Sequence, residues 1–268
     1  MKIAFLGPLT SFSHDAAIKA FPKADLLEVH SIHDVFSAVM KGNADSGVVP
    51  IENSTEGSVN TTLGLLLSND LIISKEIFVN IAHSLIAKEG AENVKKIYSH
   101  PQAFAQCQNW LRKRYPKTEL VGASSTASAA VHAAANVDSA AIASEKTAKR
   151  FGLRVLQKNI QDLSFNKTRF IVISKKAAKP DKTNKTTMFF AVKDRPGALF
   201  DCLKGFKDLN VNLTRLESRP SRKSAWDYVF FVEFIGDVSE QRIKNALAEL
   251  NKHANFVKVL GSYPKTGD

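Results

Sequence analysis

Four segments place hydroxyl and amide side chains directly after short apolar runs. Ile3–Leu6 leads into Gly7-Pro8-Leu9-Thr10-Ser11-Phe12-Ser13. Val48-Val49-Pro50-Ile51 leads into Glu52-Asn53-Ser54-Thr55-Glu56-Gly57-Ser58. Ile97-Tyr98 leads into Ser99-His100-Pro101-Gln102, and Val121-Gly122-Ala123 into Ser124-Ser125-Thr126. Each junction reads as a strand, a polar turn and a helix start. Such a turn presents unpaired backbone N–H groups and the positive end of a helix dipole. One turn of this kind is only a helix start, but four in one domain can surround a carboxylate-bearing ligand. In open α/β sheets ligands bind at this carboxyl edge. The same residues also read as structure alone. Ser13, Ser99 and Ser125 fit plain N-caps, with Ser99 and Gln102 as a capping box. His100 fits a capping or solvated histidine, and Gly7 and Gly57 fit turns.

A fifth segment, residues 159–173, crowds polar side chains ahead of a buried-looking strand, with Thr168 and Arg169 at the strand's start. Arginine can hold a carboxylate through two parallel hydrogen bonds. It can equally be a surface residue in the loop before the strand. Glu52 and Asp162 are a candidate acid/base pair, although their separation in sequence fixes no distance. Cys107, on a helix expected over Gln102–Tyr115, reads as core rather than nucleophile. No His/Cys/Asp cluster has metal-ligand spacing. Neither GxxxxGK nor GxGxxG occurs. No metal and no cofactor is therefore expected.

The elements that must position these residues fall into two rhythms. Up to about residue 173, strands (Ile3–Leu6, Gly47–Pro50, Ile72–Ile81, Ile97–Ser99, Ala140–Ala143, Phe170–Ile173) alternate with helices. The helices cover Ala16–Phe21, His33–Lys41, Thr61–Leu67, Gln102–Tyr115, Thr126–Ala135 and Glu145–Phe151. This alternation predicts an α/β layer fold with largely parallel strands. The last 80 or so residues read β (Thr187–Lys193), α (Gly197–Leu209), β (Val211–Ser218), β (Trp226–Phe234), α (Glu240–Asn251), β (Phe256–Leu260). That order is the ferredoxin-like βαββαβ unit. Its open sheet edge leads us to expect side-by-side pairing of chains.

Composition narrows the function classes. With 44% hydrophobic and 24% charged residues the chain is neither disordered nor fibrous. The net charge of +11 is uneven: residues 1–80 carry −4, residues 81–173 carry +8, and the apolar-poor stretch 174–187 alone carries +4. That stretch reads as a solvated linker. No nucleic-acid-binding pattern accompanies the charge, so attraction of a small anion is the more economical reading. No apolar run approaches the roughly 20 residues of a membrane span. The start reads as a strand rather than a signal peptide, and the two cysteines make no disulfide framework. A cytoplasmic protein that binds no nucleic acid and no membrane is expected.

Taken in order, these segments resemble prephenate dehydratase. Gly7-Pro8 with Ser11-Phe12-Ser13 and Ala16-Ala17 resembles the opening motif. Val49-Pro50-Ile51-Glu52-Asn53-Ser54, with Gly57, Val59, Thr62 and Leu63, resembles the second. Ser99-His100-Pro101-Gln102-Ala103 with Gln106-Cys107, then Ser125-Thr126-Ala127, resemble the next two. Asn159-Ile160 with Asp162, Asn166 and Thr168-Arg169-Phe170 resembles the most diagnostic block. Gly197-Ala198-Leu199 and Glu217-Ser218-Arg219-Pro220 resemble the ACT regulatory domain of the same enzymes. Thr10 departs from the family's usual glycine, Ser11 from threonine, and Gly64 from a common aspartate. Threonine tolerates positive φ poorly, so the opening turn is where a difference is expected.

The resemblance implies a two-lobed catalytic domain like type II periplasmic binding proteins over 1–176. Lobe one would be 1–78 and 160–176, and lobe two 79–159. A linker (177–186) and an α+β ACT domain (187–268) would follow. No mutase domain is expected ahead of a series that begins at Met1. The implied reaction converts prephenate to phenylpyruvate, water and carbon dioxide on the route to phenylalanine. Thr168 would donate to the leaving hydroxyl, Arg169 would bind or orient a carboxylate, and Asn53, Ser99 and Gln106 would contact substrate. Ser11, Phe12, Ser13, Glu52, Ser125, Thr126 and Phe170 would complete the substrate site. Gly197, Ala198, Leu199, Glu217, Ser218, Arg219 and Pro220 would bind phenylalanine as effector. The chain is expected to form a homodimer or homotetramer through its ACT and catalytic domains. Arogenate dehydratase is the nearest alternative; a non-catalytic amino-acid sensor is another.

Overall fold

The apolar amino terminus forms β1 (Lys2–Leu6), and its polar turn ends where the Ser11 hydroxyl accepts from the His14 N–H at 3.2 Å. Helix α1 (Phe12–Ala20) then turns Ala16, Ala17 and Ala20 into the core. The chain continues through β2 (Asp25–Val29), α2 (Ile32–Met40), β3 (Ser46–Asn53), the two-residue β4 (Gly57–Ser58), α3 (Asn60–Ser68) and β5 (Ile72–Asn80). A second series follows: β6 (Ser84–Ala87), β7 (Lys96–Ser99), α4 (Pro101–Gln106), α5 (Gln108–Arg114), β8 (Glu119–Gly122), α6 (Thr126–Ala135), β9 (Ser139–Ala143), α7 (Glu145–Arg150) and β10 (Arg154–Gln157). Strand β11 (Lys167–Ser174) returns to the first sheet. The computed structural model describes residues 1–180, 184–220 and 228–266. Part of the expected linker (181–183), the expected strand start at 226–227 and residues 267–268 lie outside the described residues.

The first sheet has the order β2-β1-β3-β11-β5, with β4 on β3; the second has the order β10-β6-β9-β7-β8. The expectation of largely parallel strands needs correction. In the second sheet β7 pairs in parallel with β8 and β9, but β6 is antiparallel to both β9 and β10. Strand β6 carries the chain in from the first sheet, so it runs against the strands of the local β-α-β repeats. Five strands were not placed by the apolar runs. None of the residues of β2, β8 and β10 is buried, and each of these strands opens on a charged residue. β4 is a two-residue pairing, and β6 follows β5 after a three-residue break.

The helix expected over Gln102–Tyr115 is two helices. Cys107 breaks it at φ −119°, ψ 17°, with its side chain fully buried. The amides released at the start of α5 are taken by a residue far away in sequence: Asp162 accepts from Asn109 N at 3.0 Å and Trp110 N at 3.2 Å. Burial pushes the Cys107 thiol up to about 12, with the Asp162 carboxylate adding to the rise, so no thiolate forms at neutral pH. Thr10 adopts φ +74°, the region threonine disfavours.

The remaining elements are β12 (Asn184–Val192), α8 (Ala198–Asp208), β13 (Leu213–Pro220), β14 (Tyr228–Ile235), α9 (Gln241–His253) and β15 (Ala254–Pro264). They form an antiparallel sheet of order β13-β14-β12-β15. The βαββαβ expectation holds. Met188, Phe190, Phe206, Phe234, Ile243 and Leu250 fill the space between sheet and helices. Gly197 precedes α8 at φ +76°, a conformation that favours glycine.

Two compact units divide the chain: Met1–Val35 with Val48–Val59 and Phe78–Phe170, and Phe36–Gly47 with Asn60–Ile77 and Ile171–Asp268. Within the second, Gly261 sits on β15 at φ +137°, and a Cβ there would lie 2.4 Å from the Ile73 carbonyl oxygen. Gly261→Ala is therefore expected to cost about 2 kcal/mol or more, read as a lowered thermal midpoint. Among the described residues no helix is long and apolar enough to cross a membrane.

Candidate active site

Three of the polar turns converge in the first unit. The amino ends of α1, α4 and α6 line one cleft of ≈ 270 Å³, with Ser11, Phe12, Ser13, Ser125 and Thr126 among its walls. Ser11, and not the expected Ser13, caps α1, because the helix already begins at Phe12 and buries Ser13 in its first turn; Ser125 caps α6 as expected by accepting from Ser128 N at 3.0 Å. The α6 stripe Ala127, Ala129, Ala130 and Ala133 is buried, which lets the helix lie close on the second sheet. Its amino end is thereby held rigidly at the cleft. None of the described lining residues is a lysine or arginine. A carboxylate in this cleft would meet helix amino ends, hydroxyls and amides rather than a cation of a lysine or arginine.

The fourth turn contributes differently. Strand β3 runs into a hairpin with β4 rather than a helix, and this delivers Asn53 to the cleft. Asn53 Nδ2 donates to Thr168 Oγ1 and to Asn166 Oδ1, both at 2.8 Å. Its Oδ1 accepts from Thr55 N, Thr55 Oγ1 and Glu56 N at 2.9, 2.6 and 3.2 Å. Both Asn53 N–H groups are thus engaged inside the protein. Among the described residues no acceptor takes the Thr168 hydroxyl hydrogen, although Thr168 lines the cleft.

Strand alternation separates the remaining residues. Neighbours on a strand face opposite ways, so Thr168 and Arg169 cannot share a face, nor can Asn53 and Glu52. Asn53 meets Thr168 on one side; Glu52 meets Arg169 on the other, Nη2 to Oε2 at 3.1 Å. The Arg169 side chain is only 6% exposed, so it is not a surface loop residue. Neither Arg169 nor Glu52 is part of the cleft lining, and Phe170 is in the core. Asp162 caps α5, which leaves Glu52 and Asp162 with separate partners.

Ser99 is the last residue of β7, fully buried, and its hydroxyl donates to Ile142 O at 2.8 Å. It is neither the expected N-cap nor a wall of the cleft. The cap is His100, whose Nδ1 accepts from Gln102 N at 3.2 Å, because Pro101 at the first helical position moves the boundary on by one residue. Gln106 lies in the cleft: its Oε1 is 2.7 Å from His83 Nε2, and its Nε2 donates to Glu56 Oε1 at 2.7 Å. Gln102 Nε2 donates to the other Glu56 oxygen.

His83 was not singled out by the sequence. It stands alone in the link between β5 and β6, and only the folded chain brings it against Gln106. Burial lowers its pKa, opposed by the hydrogen bond to Gln106. The unfolded histidine titrates near 6.5. Below that pH the unfolded chain binds the proton first, so the His83 contribution to stability is complete above about pH 6.5 and is lost as pH falls towards the lowered folded value. His83→Gln should flatten the decline of the thermal midpoint across this window, measured by circular dichroism.

Comparison with known proteins fits this geometry to a family. The prephenate dehydratase family model matches residues 3–178, and the ACT domain model matches 186–252. The chain belongs to the prephenate dehydratase family. It is accordingly a decarboxylating dehydratase, a carbon–oxygen lyase. The bifunctional chorismate mutase/prephenate dehydratase of Aquifex aeolicus is 46% identical over 99% of this chain and 74% of that protein. Arogenate dehydratase 2 of Petunia hybrida is 38% identical over 98% of this chain and 72% of its own. The crystal structure of prephenate dehydratase from Arthrobacter aurescens in complex with L-Phe superposes with a TM-score of 0.90 at 34% identity, covering 99% of this chain and 90% of that one.

In the ACT domain, Ala198 and Leu199 open α8 behind Gly197. Glu217, Ser218, Arg219 and Pro220 end the edge strand β13. Glu217 bridges Arg215 at 2.9 Å and Arg219 at 3.3 Å, and Arg219 Nη1 also donates to Asn60 Oδ1 at 2.8 Å. The two motifs sit on separate elements of one domain.

Proposed function

We propose that the cleft converts prephenate to phenylpyruvate, with the Thr168 hydroxyl as donor to the departing hydroxyl. The dianion takes up one proton and yields phenylpyruvate, carbon dioxide and water. The ring C–CO₂⁻ bond breaks, its electron pair enters the ring, and the C–OH bond breaks on the far side as the ring becomes aromatic. The protein must orient the substrate and stabilise charge as it builds on the leaving oxygen. One observation carries the assignment: Asn53 fills a lone pair of Thr168 Oγ1 and leaves its hydrogen for the cleft. Asn53 then acts by positioning Thr168. The turns at Ser11–Ser13 and Ser125–Thr126 bind a carboxylate through helix amino ends, and Gln106 supplies an amide donor. Ser99 supports the site from within the sheet. Arg169, Glu52 and Phe170 hold β11 beside β3 and thereby place Thr168.

Residues 1–176 form the catalytic domain in this reading, 177–186 the linker and 187–268 the regulatory domain. Lobe one is 1–78 with 160–176, and lobe two is 79–159. Phenylalanine binds the ACT domain near residues 197–199 and 217–220, at an interface between two copies in a homodimer or homotetramer. The protein works in the cytoplasm. Effector and substrate affinities are linked reciprocally. The test is turnover of purified protein with prephenate and, separately, with arogenate, with and without phenylalanine. Phenylpyruvate formation suppressed by phenylalanine is expected. Turnover of arogenate alone would assign the plant relative's reaction, while turnover of neither would end the enzymatic reading.

A further inference from the structure

His83 is one of the ring-bearing walls of the cleft, edge-on to Phe12 with centroids 5.9 Å apart, and only 3% exposed. Its backbone is held on both sides: the His83 N–H donates to Gln161 Oε1 at 3.0 Å, and its carbonyl accepts from Ile160 N at 2.9 Å. The backbone that carries the ring is therefore fixed at two points. Gln106 Nε2 donates to the Glu56 carboxylate, so its Oε1 is the acceptor facing the histidine. An acceptor there requires the proton on His83 Nε2. The other ring nitrogen, Nδ1, is buried with no hydrogen-bond partner among the described residues. A proton on that nitrogen would be buried without an acceptor, which selects the neutral ring protonated at Nε2.

This matters because an amide side chain has two ends of nearly equal shape. Glu56 is exposed and shared between Gln102 and Gln106, a weak clamp by itself. The buried Nε2–H of His83 is the contact that forbids the flipped amide, since a flip would set two N–H donors face to face. With the flip excluded, Gln106 Nε2 keeps one hydrogen on Glu56. Its second has no acceptor among the described residues.

We propose that His83 is a positioning residue that locks the amide of Gln106, so that one Gln106 N–H is presented to a carboxylate or alcohol oxygen of the substrate. This rests on the reading that substrate occupies the cleft beside Gln106.

A double-mutant cycle on the full-length protein tests it. Gln106→Ala should lower kcat/KM. His83→Phe, which keeps a ring but removes Nε2–H, should lower kcat/KM about tenfold, the net effect of one buried hydrogen bond. In the Gln106→Ala background the same change should have an effect of about twofold or less. His83→Gln carries an N–H near the Nε2 position and should recover to within about threefold of the parent. His83→Asn, whose amide sits near the Nδ1 position, should not. Additive losses, rescue by His83→Asn alone, or an unaffected His83→Phe would each overturn the proposal. An unaffected Gln106→Ala would instead remove Gln106 from the substrate site and so refute the reading beneath it. Nitrogen-15 NMR of the parent protein supplies a readout independent of activity and of variant folding: the ring should carry its proton on Nε2, and a proton on Nδ1 alone would overturn the proposal.

Discussion

Replacing Thr168 by alanine should lower kcat about a hundredfold or more while KM stays within about threefold. Removal of a donor aimed at developing negative charge typically costs two to three powers of ten in rate, and it acts in the transition state rather than on substrate binding. The alanine also strips one acceptor from Asn53 Nδ2, but the bond to Asn166 Oδ1 at 2.8 Å remains. The fold should therefore lose only about 1 kcal/mol, the net value of one hydrogen bond. Thr168→Ser keeps the hydroxyl and should retain most of the rate. Steady-state kinetics with prephenate check both variants. An alanine variant with unchanged kcat would remove Thr168 from the mechanism.

Lys185→Met should strongly destabilise the second unit. Lys185 lies on β12 with its ammonium 2.5 Å from Glu76 Oε2 on β5 and 3.5 Å from Glu233 Oε2 on β14. All three side chains are buried, and the Tyr263 ring lies 5.7 Å from the ammonium. Two carboxylates share this one lysine, while Thr266 N and Thr187 Oγ1 donate to their other oxygens at 3.0 and 3.5 Å. Methionine fills the space of the lysine stem but leaves both carboxylates without the cation between them. Breaking a buried ion pair by removing one partner costs about 3–5 kcal/mol. Denaturant unfolding should show this as a lowered midpoint at unchanged slope. The triple variant Lys185→Met with Glu76→Gln and Glu233→Gln should recover part of the loss, because the repulsion between two carboxylates that have lost their shared cation goes with their charge. No recovery would assign the effect to packing instead.

The organisation of the chain was legible because it rests on local rules. Alternating apolar runs and small-residue helices gave the α/β layers, and the change of rhythm near residue 184 gave the βαββαβ domain. The polar turns at Ser11 and Ser125 are where hydroxyl caps begin helices, and the fold brings both to one cleft. Errors arose where a distant partner decided the outcome. Helix α5 starts anew after Cys107 because Asp162, more than fifty residues later, takes its free amides. Ser99 reads as a cap by spacing, but it pairs with Gly122 as the end of β7 and its hydroxyl goes to Ile142 O, while His100 takes the cap.

By itself, the sequence determined which residue types gather at strand ends, since capping, turn chemistry and apolar periodicity act over a few residues. It also determined the family, through motifs kept in order along nearly the whole chain. Only the tertiary structure decided which face each motif residue takes. Alternation on β3 and β11 makes Asn53 and Thr168 one pair and Glu52 and Arg169 another. Only the tertiary structure brought His83 to Gln106, across 23 residues, and Glu76 and Glu233 to one lysine. Those contacts join segments far apart in the chain. They exist because burial takes each polar group out of water and leaves it only the partners that the fold brings within reach, and no local pattern records which partners those are.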